Sequence, residues 1–304
     1  MKLRAIALAL AALMCLGLGA HAEEAAAQYI ENEWNFVENA MDVTGGIPEG
    51  AEGVLASVRE SGVLRVGTEP YFPPQEFIDP ALEGQDRYVG ADMELARLVA
   101  QRMGVELEII PMEFTHVLDA VSEGECDLVI SALAYTPERA SRVTLSKGYN
   151  YAEAGAGSGL VIRAADANAI AGLDDLNGRD VIAQSGSLQE ALTAQHVTGY
   201  REFRRVGSVE ACYDAVARGD MDAAICDIES ALAYIEGSPD CGLTVVEDAR
   251  LVLEPQFDGD RVAAKKGELQ LMYFVNGVID ELLESGQYRQ WFIEYEEYAR
   301  KLGM

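Results

Sequence analysis

Positive charge is scarce in this chain. Lys and Arg number 23 against 51 Asp and Glu, a formal net charge of -28. Nucleic acid and anionic membrane surfaces call for a basic face, so both are excluded as partners. The acidity supports solubility and favours cationic solutes. Histidine is scarcer still, and beyond His21 only His116 and His196 remain. The cysteines past Cys15 are Cys126, Cys212, Cys226 and Cys241, and their spacing with those histidines fits no zinc pattern. No metal or cofactor is expected. Long apolar runs are also lacking. The one run, Ala5 to Gly19, is about 15 residues, too short to span a bilayer. With Lys2 and Arg4 before it and Ala20-His21-Ala22 after it, residues 1–22 read as a cleaved export signal. The mature chain is therefore expected to be soluble and exported to the periplasm, where disulfides are permitted. No P-loop, serine elbow or Cys/His pair occurs.

What remains is an ordinary globular composition, long enough for two lobes. Residues 23–48 are acidic with scattered aromatics and end in the breaker Thr44-Gly45-Gly46-Ile47-Pro48. They read as a partly helical N-terminal extension docked by Trp34, and a short helix follows over 50–61. From Leu64 strand and helix alternate: strand 64–67, a long loop 69–90, helix 91–103, strand 105–111, helix 114–122 and strand 127–131. This is the βαβ rhythm of a parallel sheet. The Ala/Gly-rich stretch 154–159 interrupts it and reads as a crossing between units. A second α/β run follows to about 246. Near Leu253 to Phe257 the chain leaves this unit, and two helices, 268–284 and 288–301, close it.

Strand-to-helix turns carry the candidate chemistry, since ligands in α/β sheets sit beyond the carboxyl ends of strands. The first is DLVISALAYTPERASR, 127–142, where Thr136 reads as an N-cap and Pro137 as the first helical residue. Arg139 is the odd residue, because a cation in the first turn opposes the helix dipole unless an anion binds beside it. A solvated surface arginine reads the same residue equally well. The second turn is Gln184-Ser185-Gly186-Ser187-Leu188-Gln189-Glu190, with Ser187 and Glu190 as a capping box. A plain helix start is its simpler meaning. The third is Cys226-Asp227-Ile228, where an N-cap aspartate is the simpler meaning. Glu69 with Tyr71 and Phe72, and Phe114 beyond another strand, could wall a pocket or pack in a core.

Together these stretches resemble the bacterial extracellular solute-binding proteins of family 3, the periplasmic amino-acid-binding proteins of ABC importers. The likeness runs through GVLRVGTEPYFPPQEF (62–77), YVGADMELARLVAQRMGV (88–105), CDLVISALAYTPERA (126–140), VIAQSGSLQEAL (181–192), ARGDMDAAICDIESALAYI (217–235) and GVIDELLESGQYRQWF (277–292). It does not cover residues 23–55. It implies an α/β, two-lobed periplasmic binding protein fold of type II, each lobe a mostly parallel sheet flanked by helices. Lobe 1 would be 56–150 plus 254–304, lobe 2 would be 158–250, and 150–158 and 250–254 would cross between them. The resemblance implies that Arg139 clamps a ligand α-carboxylate, helped by Thr136 and by the turn residues Ser131, Ala132 and Ala134. Asp227 would receive the α-ammonium, Phe72 and Phe114 would sandwich the side chain, and N–H groups from Gly186 to Leu188 would assist. Glu69, Gln184, Ser187 and Leu188 complete the expected contacts. Glu69 stands where the family usually has Asp or Asn. With this lobe assignment, any disulfide is expected among Cys212, Cys226 and Cys241 and not at Cys126.

The function implied is capture of an α-amino acid and delivery to an ABC permease in the inner membrane, by a monomer that is not an enzyme. A carboxylate such as Glu69 makes the ligand side chain polar or basic, with arginine, lysine, histidine or glutamine ahead of glutamate and aspartate. The alternatives are a periplasmic dehydratase for prephenate-like substrates on the same scaffold, and a ligand sensor for a signalling receptor.

Overall fold

The protein is described here from a computed structural model, covering residues 35–151, 157–251, 253 and 257–304. The expected signal segment, Trp34 and the centres of both expected crossings lie outside the described residues. Two five-stranded sheets dominate. The first has the order β5-β1-β6-β13-β7, with β1 Val63–Thr68, β5 Glu106–Pro111, β6 Leu128–Val129, β7 Val143–Leu145 and β13 Ala263–Lys265. The second has the order β10-β9-β11-β8-β12, with β8 Ser158–Arg163, β9 Asp180–Gln184, β10 Glu202–Val206, β11 Ala223–Asp227 and β12 Leu243–Leu251. In each sheet one strand runs against its two neighbours: β13 against β6 and β7, β8 against β11 and β12. The reason is geometric. The other strands point their carboxyl ends at the cleft, so a chain arriving from the opposite lobe enters at that edge and must run away from it. β13 and β8 are the strands that follow the two crossings.

Helices cover both sheets: α1 Gly53–Ser61, α2 Ala91–Met103, α3 Val117–Glu123, α4 Pro137–Arg142, α5 Leu188–His196, α6 Val209–Arg218, α7 Ile228–Gly237, α8 Leu269–Ser285 and α9 Gln287–Leu302. Leu64, Val66, Leu128 and Ile130 of the first sheet pack on Leu95 and Val99 of α2 and on Leu271, Phe274 and Val278 of α8. Strands buried on both faces carry continuous apolar runs, as parallel sheets require.

Two features differ from the sequence reading. The expected loop 69–90 contains a small antiparallel sheet of β2 Tyr71–Phe72, β3 Glu76–Ile78 and β4 Tyr88–Val89. It is anchored where Gly90 (φ 124°) passes so close to the Gln75 carbonyl that a Cβ would overlap it. Residues 35–52 form no helix. They lie across the first lobe as a strap, with Phe36, Val37 and Val43 buried. Asn276 of α8 holds the strap by donating Nδ2–H bonds to the Val37 and Asn39 carbonyls, each 2.9 Å. The thiols of Cys126, Cys212, Cys226 and Cys241 are all free.

Candidate functional site

The strand ends on each side of the cleft enclose a cavity of about 120 Å³. One water needs roughly 10–15 Å³ on this scale, so several heavy atoms fit. Of the residues singled out in the sequence, Glu69, Phe72, Phe114, Ser131, Ala132, Ala134, Arg139, Gln184, Ser187, Leu188 and Asp227 line it. Thr136 does not. Its Oγ1 accepts the Arg139 N–H (3.1 Å), capping α4, and it borders a neighbouring cavity instead. The cap explains the position of Arg139. Held in the first turn, its side chain folds back so that Nη1 donates to the Ala134 carbonyl (2.6 Å). Nη2 reaches across the cleft to the Gly186 carbonyl at 2.9 Å, and the guanidinium lies 5.5 Å from the Phe114 ring centre. Arg139 is 5% exposed, so it is no surface arginine, and it makes no ion pair among the described residues. Burial lowers its pKa to about 10, with Asp260 and Glu138 opposing the shift, so it stays charged at neutral pH.

The turn after β6 is built around buried acids. Ala132 has φ 41°, an unusual value for a residue with a Cβ, and its N–H donates to Asp92 Oδ2 (2.8 Å). Asp92 is itself fixed by the hydroxyls of Tyr149 (2.9 Å) and Tyr288 (2.6 Å). Ser131 Oγ accepts the Glu69 N–H (3.0 Å) and donates to Glu76 Oε1 (3.0 Å). Glu69, 2% exposed, receives an Nε2–H bond from Gln184 of the second lobe at 3.1 Å. With the Arg139–Gly186 bond, this joins the lobes directly across the cleft, and an Arg300–Glu236 ion pair (3.2 Å) also links them.

In the second lobe, Ser187 Oγ caps α5 by accepting the Glu190 N–H (3.1 Å). Glu190 Oε2 in turn takes the Gly186 N–H (2.7 Å), and the Gln184 carbonyl takes the Ser187 N–H (3.3 Å). Two of the N–H groups expected to face a ligand thus have protein acceptors. Asp227 caps α7, its Oδ1 accepting the Ser230 N–H at 2.9 Å, and it lines the cavity as well. The capping and site readings of Asp227 are therefore compatible.

Sequence reading missed several lining residues, notably Glu76, Asn150, Gln189 and Asp260. Asp260 follows the second crossing, where only an Asp-Gly-Asp turn signal is visible. The cavity is strongly acidic. Burial is the main cause in every case: it pushes the Glu69 carboxyl up to about 8, with Glu113 adding and Gln184 opposing. It raises Asp260 to about 8, reinforced by Asp92, and raises Glu76 and Asp227 as well. The raised values leave the Glu69 and Asp260 carboxyls largely protonated at neutral pH, and a cation placed among them would favour their ionised forms. Among the described residues, no group of acids, histidines or cysteines is arranged to hold a metal ion.

Two α/β lobes closing strand-end turns over a small, polar, charged cavity define a ligand-capturing cleft protein. The chain belongs to the bacterial extracellular solute-binding proteins, family 3, whose model matches residues 64–297. It is 28% identical to the L-cystine-binding protein TcyJ of Escherichia coli, over 79% of this chain and 86% of that protein. It is also 28% identical to the arginine-binding extracellular protein ArtP of Bacillus subtilis, over 75% and 86% respectively. Among solved structures, it is similar to the substrate-binding protein AbpA of Streptococcus pneumoniae bound to L-arginine, with TM-score 0.71 and 29% identity over 80% of this chain and 98% of that one.

Proposed function

We propose that this protein captures a free α-amino acid with a basic or polar side chain in the periplasm and presents it to an ABC permease. One observation carries the reading: a buried Arg139, with no ion pair among the described residues, shares a cavity with Glu69, Glu76, Asp227 and Asp260. Arg139 offers a planar fork to a carboxylate, and Asp227, on the opposite lobe, offers an anion to the α-ammonium. A ligand touching both lobes favours closure by its differential affinity for the closed state. Glu69 and Glu76 then face the side chain and oppose an acidic one. The similarity to proteins named for arginine supports a cationic ligand. Calorimetry of the mature chain tests this, with arginine, lysine, histidine and glutamine expected ahead of glutamate and aspartate. Preference for glutamate overturns the side-chain reading. Turnover of prephenate without amino-acid binding overturns the binding function itself.

A further inference from the structure

We infer that Asp260, delivered by the return crossing, is a second carboxylate receptor for the ligand α-nitrogen, opposite Asp227. The inference rests on the amino-acid reading above and specifies how the α-ammonium is held. Asp260 lies where the two crossings meet. Its backbone bridges to Ala134 on one side and Asn150 on the other, with Asp260 N–H donating to the Asn150 carbonyl (2.9 Å) and Tyr149 N–H to the Asp260 carbonyl (3.0 Å). Ala134 is the residue whose carbonyl holds Arg139, so Asp260 is tied to the anion-binding end of the cavity. Glu69 belongs to the Gln184 side instead.

The Asp260 side chain is under-satisfied. A carboxylate has about four acceptor sites, yet among the described residues Asp260 takes one side-chain hydrogen bond, from Asn150 Nδ2 to Oδ2 at 2.8 Å. It forms no ion pair among the described residues. The adjacent Arg261 turns away, donating to the Ser146 and Asp258 carbonyls and stacking 4.0 Å from the Phe36 ring centre. The charges acting on Asp260 include Asp92, Asp227 and Asp258, while Asp260 in turn holds up the Arg139 charge. Asp92, Asp227 and Asp258 help keep the Asp260 carboxyl protonated, and a cation held between Asp260 and Asp227 would favour its ionised form. The α-nitrogen of a ligand gripped by Arg139 supplies that cation.

The test is a cycle between protein and ligand. Wild type and Asp260→Asn are titrated with L-arginine and with 5-guanidinovaleric acid, which keeps the carboxylate and guanidinium but lacks the α-amino group. The expected result is that Asp260→Asn weakens arginine at least tenfold and the deamino analogue less than threefold. An equal loss for both ligands reduces Asp260 to a structural role and overturns the inference. So does an unchanged arginine affinity. Asp260→Ser serves the same comparison if the Asn variant does not fold. Failure of wild type to bind any amino acid would instead strike the function proposed above.

Discussion

Arg139 separates two accounts of the site. Among the described residues its guanidinium is anchored to carbonyls and an aromatic face and forms no ion pair, with Asp260 and Glu138 acting on its charge from a distance. Arg139→Ala is therefore expected to leave the melting temperature of the free protein within a few degrees while weakening ligand by about 3 kcal/mol, roughly a hundredfold. Arg139→Lys should recover little, since an ammonium cannot form the bidentate pair. Near wild-type calorimetric affinity in the alanine variant would move the anion site elsewhere. Glu69 and Asp260 lead to a pH prediction. Their folded pKa values, both about 8, lie well above the ordinary carboxyl values near 4. Between those limits the folded chain holds protons that the unfolded chain has lost, so free-protein stability falls as pH rises from about 4 to 8. A cationic ligand favours the ionised carboxylates, so arginine affinity should rise over pH 6 to 8. A flat profile would show that neither group faces the ligand charge. Strand-end and helix-start marks placed Arg139 and Asp227 at candidate turns, and only the family resemblance set them above a surface arginine and a plain N-cap. Asp260 was not legible, because a turn signal does not reveal which lobe or cavity the turn meets.

At the scale of elements, the long amphipathic and buried segments were legible. Ala91–Met103 coincides with its expected limits. Several of the short ones were not. β7 and β13 are three residues each, and β2 to β4 two or three, too short for either periodicity to register. They exist because tertiary neighbours complete their ladders. The strap at 35–52 shows the same limit, for a partly helical extension was expected while the structure buries Phe36, Val37 and Val43 on the first lobe. Asn276 joins it to the core, donating to Val37 and Asn39 while its Oδ1 accepts the Lys147 N–H (3.1 Å). Asn276→Ala leaves three buried or half-buried groups without these partners and should cost about 2–4 kcal/mol in denaturant unfolding. A loss under about 0.5 kcal/mol would mean that the strap is not coupled to the fold.

The whole molecule adds a field to these contacts. A chain with net charge -28 surrounds its cleft with negative potential, and the cavity carries an excess of carboxylates. Low-dielectric walls focus such a potential toward the mouth and raise the encounter rate of cations. Steering acts over distances that salt shortens, from about 10 Å at 0.1 M to 3 Å at 1 M. Contacts inside the closed cavity are screened far less. Association and dissociation should therefore respond differently. In stopped-flow mixing, the association rate of arginine is expected to fall severalfold between 0.05 and 0.5 M salt, with dissociation nearly constant. Glutamine, neutral overall, should associate at a rate that barely changes. If both ligands respond alike, the salt acts on lobe closure and the surface charge serves solubility alone. If neither responds, the charge does not reach the cleft, and selection of cations rests on the buried carboxylates.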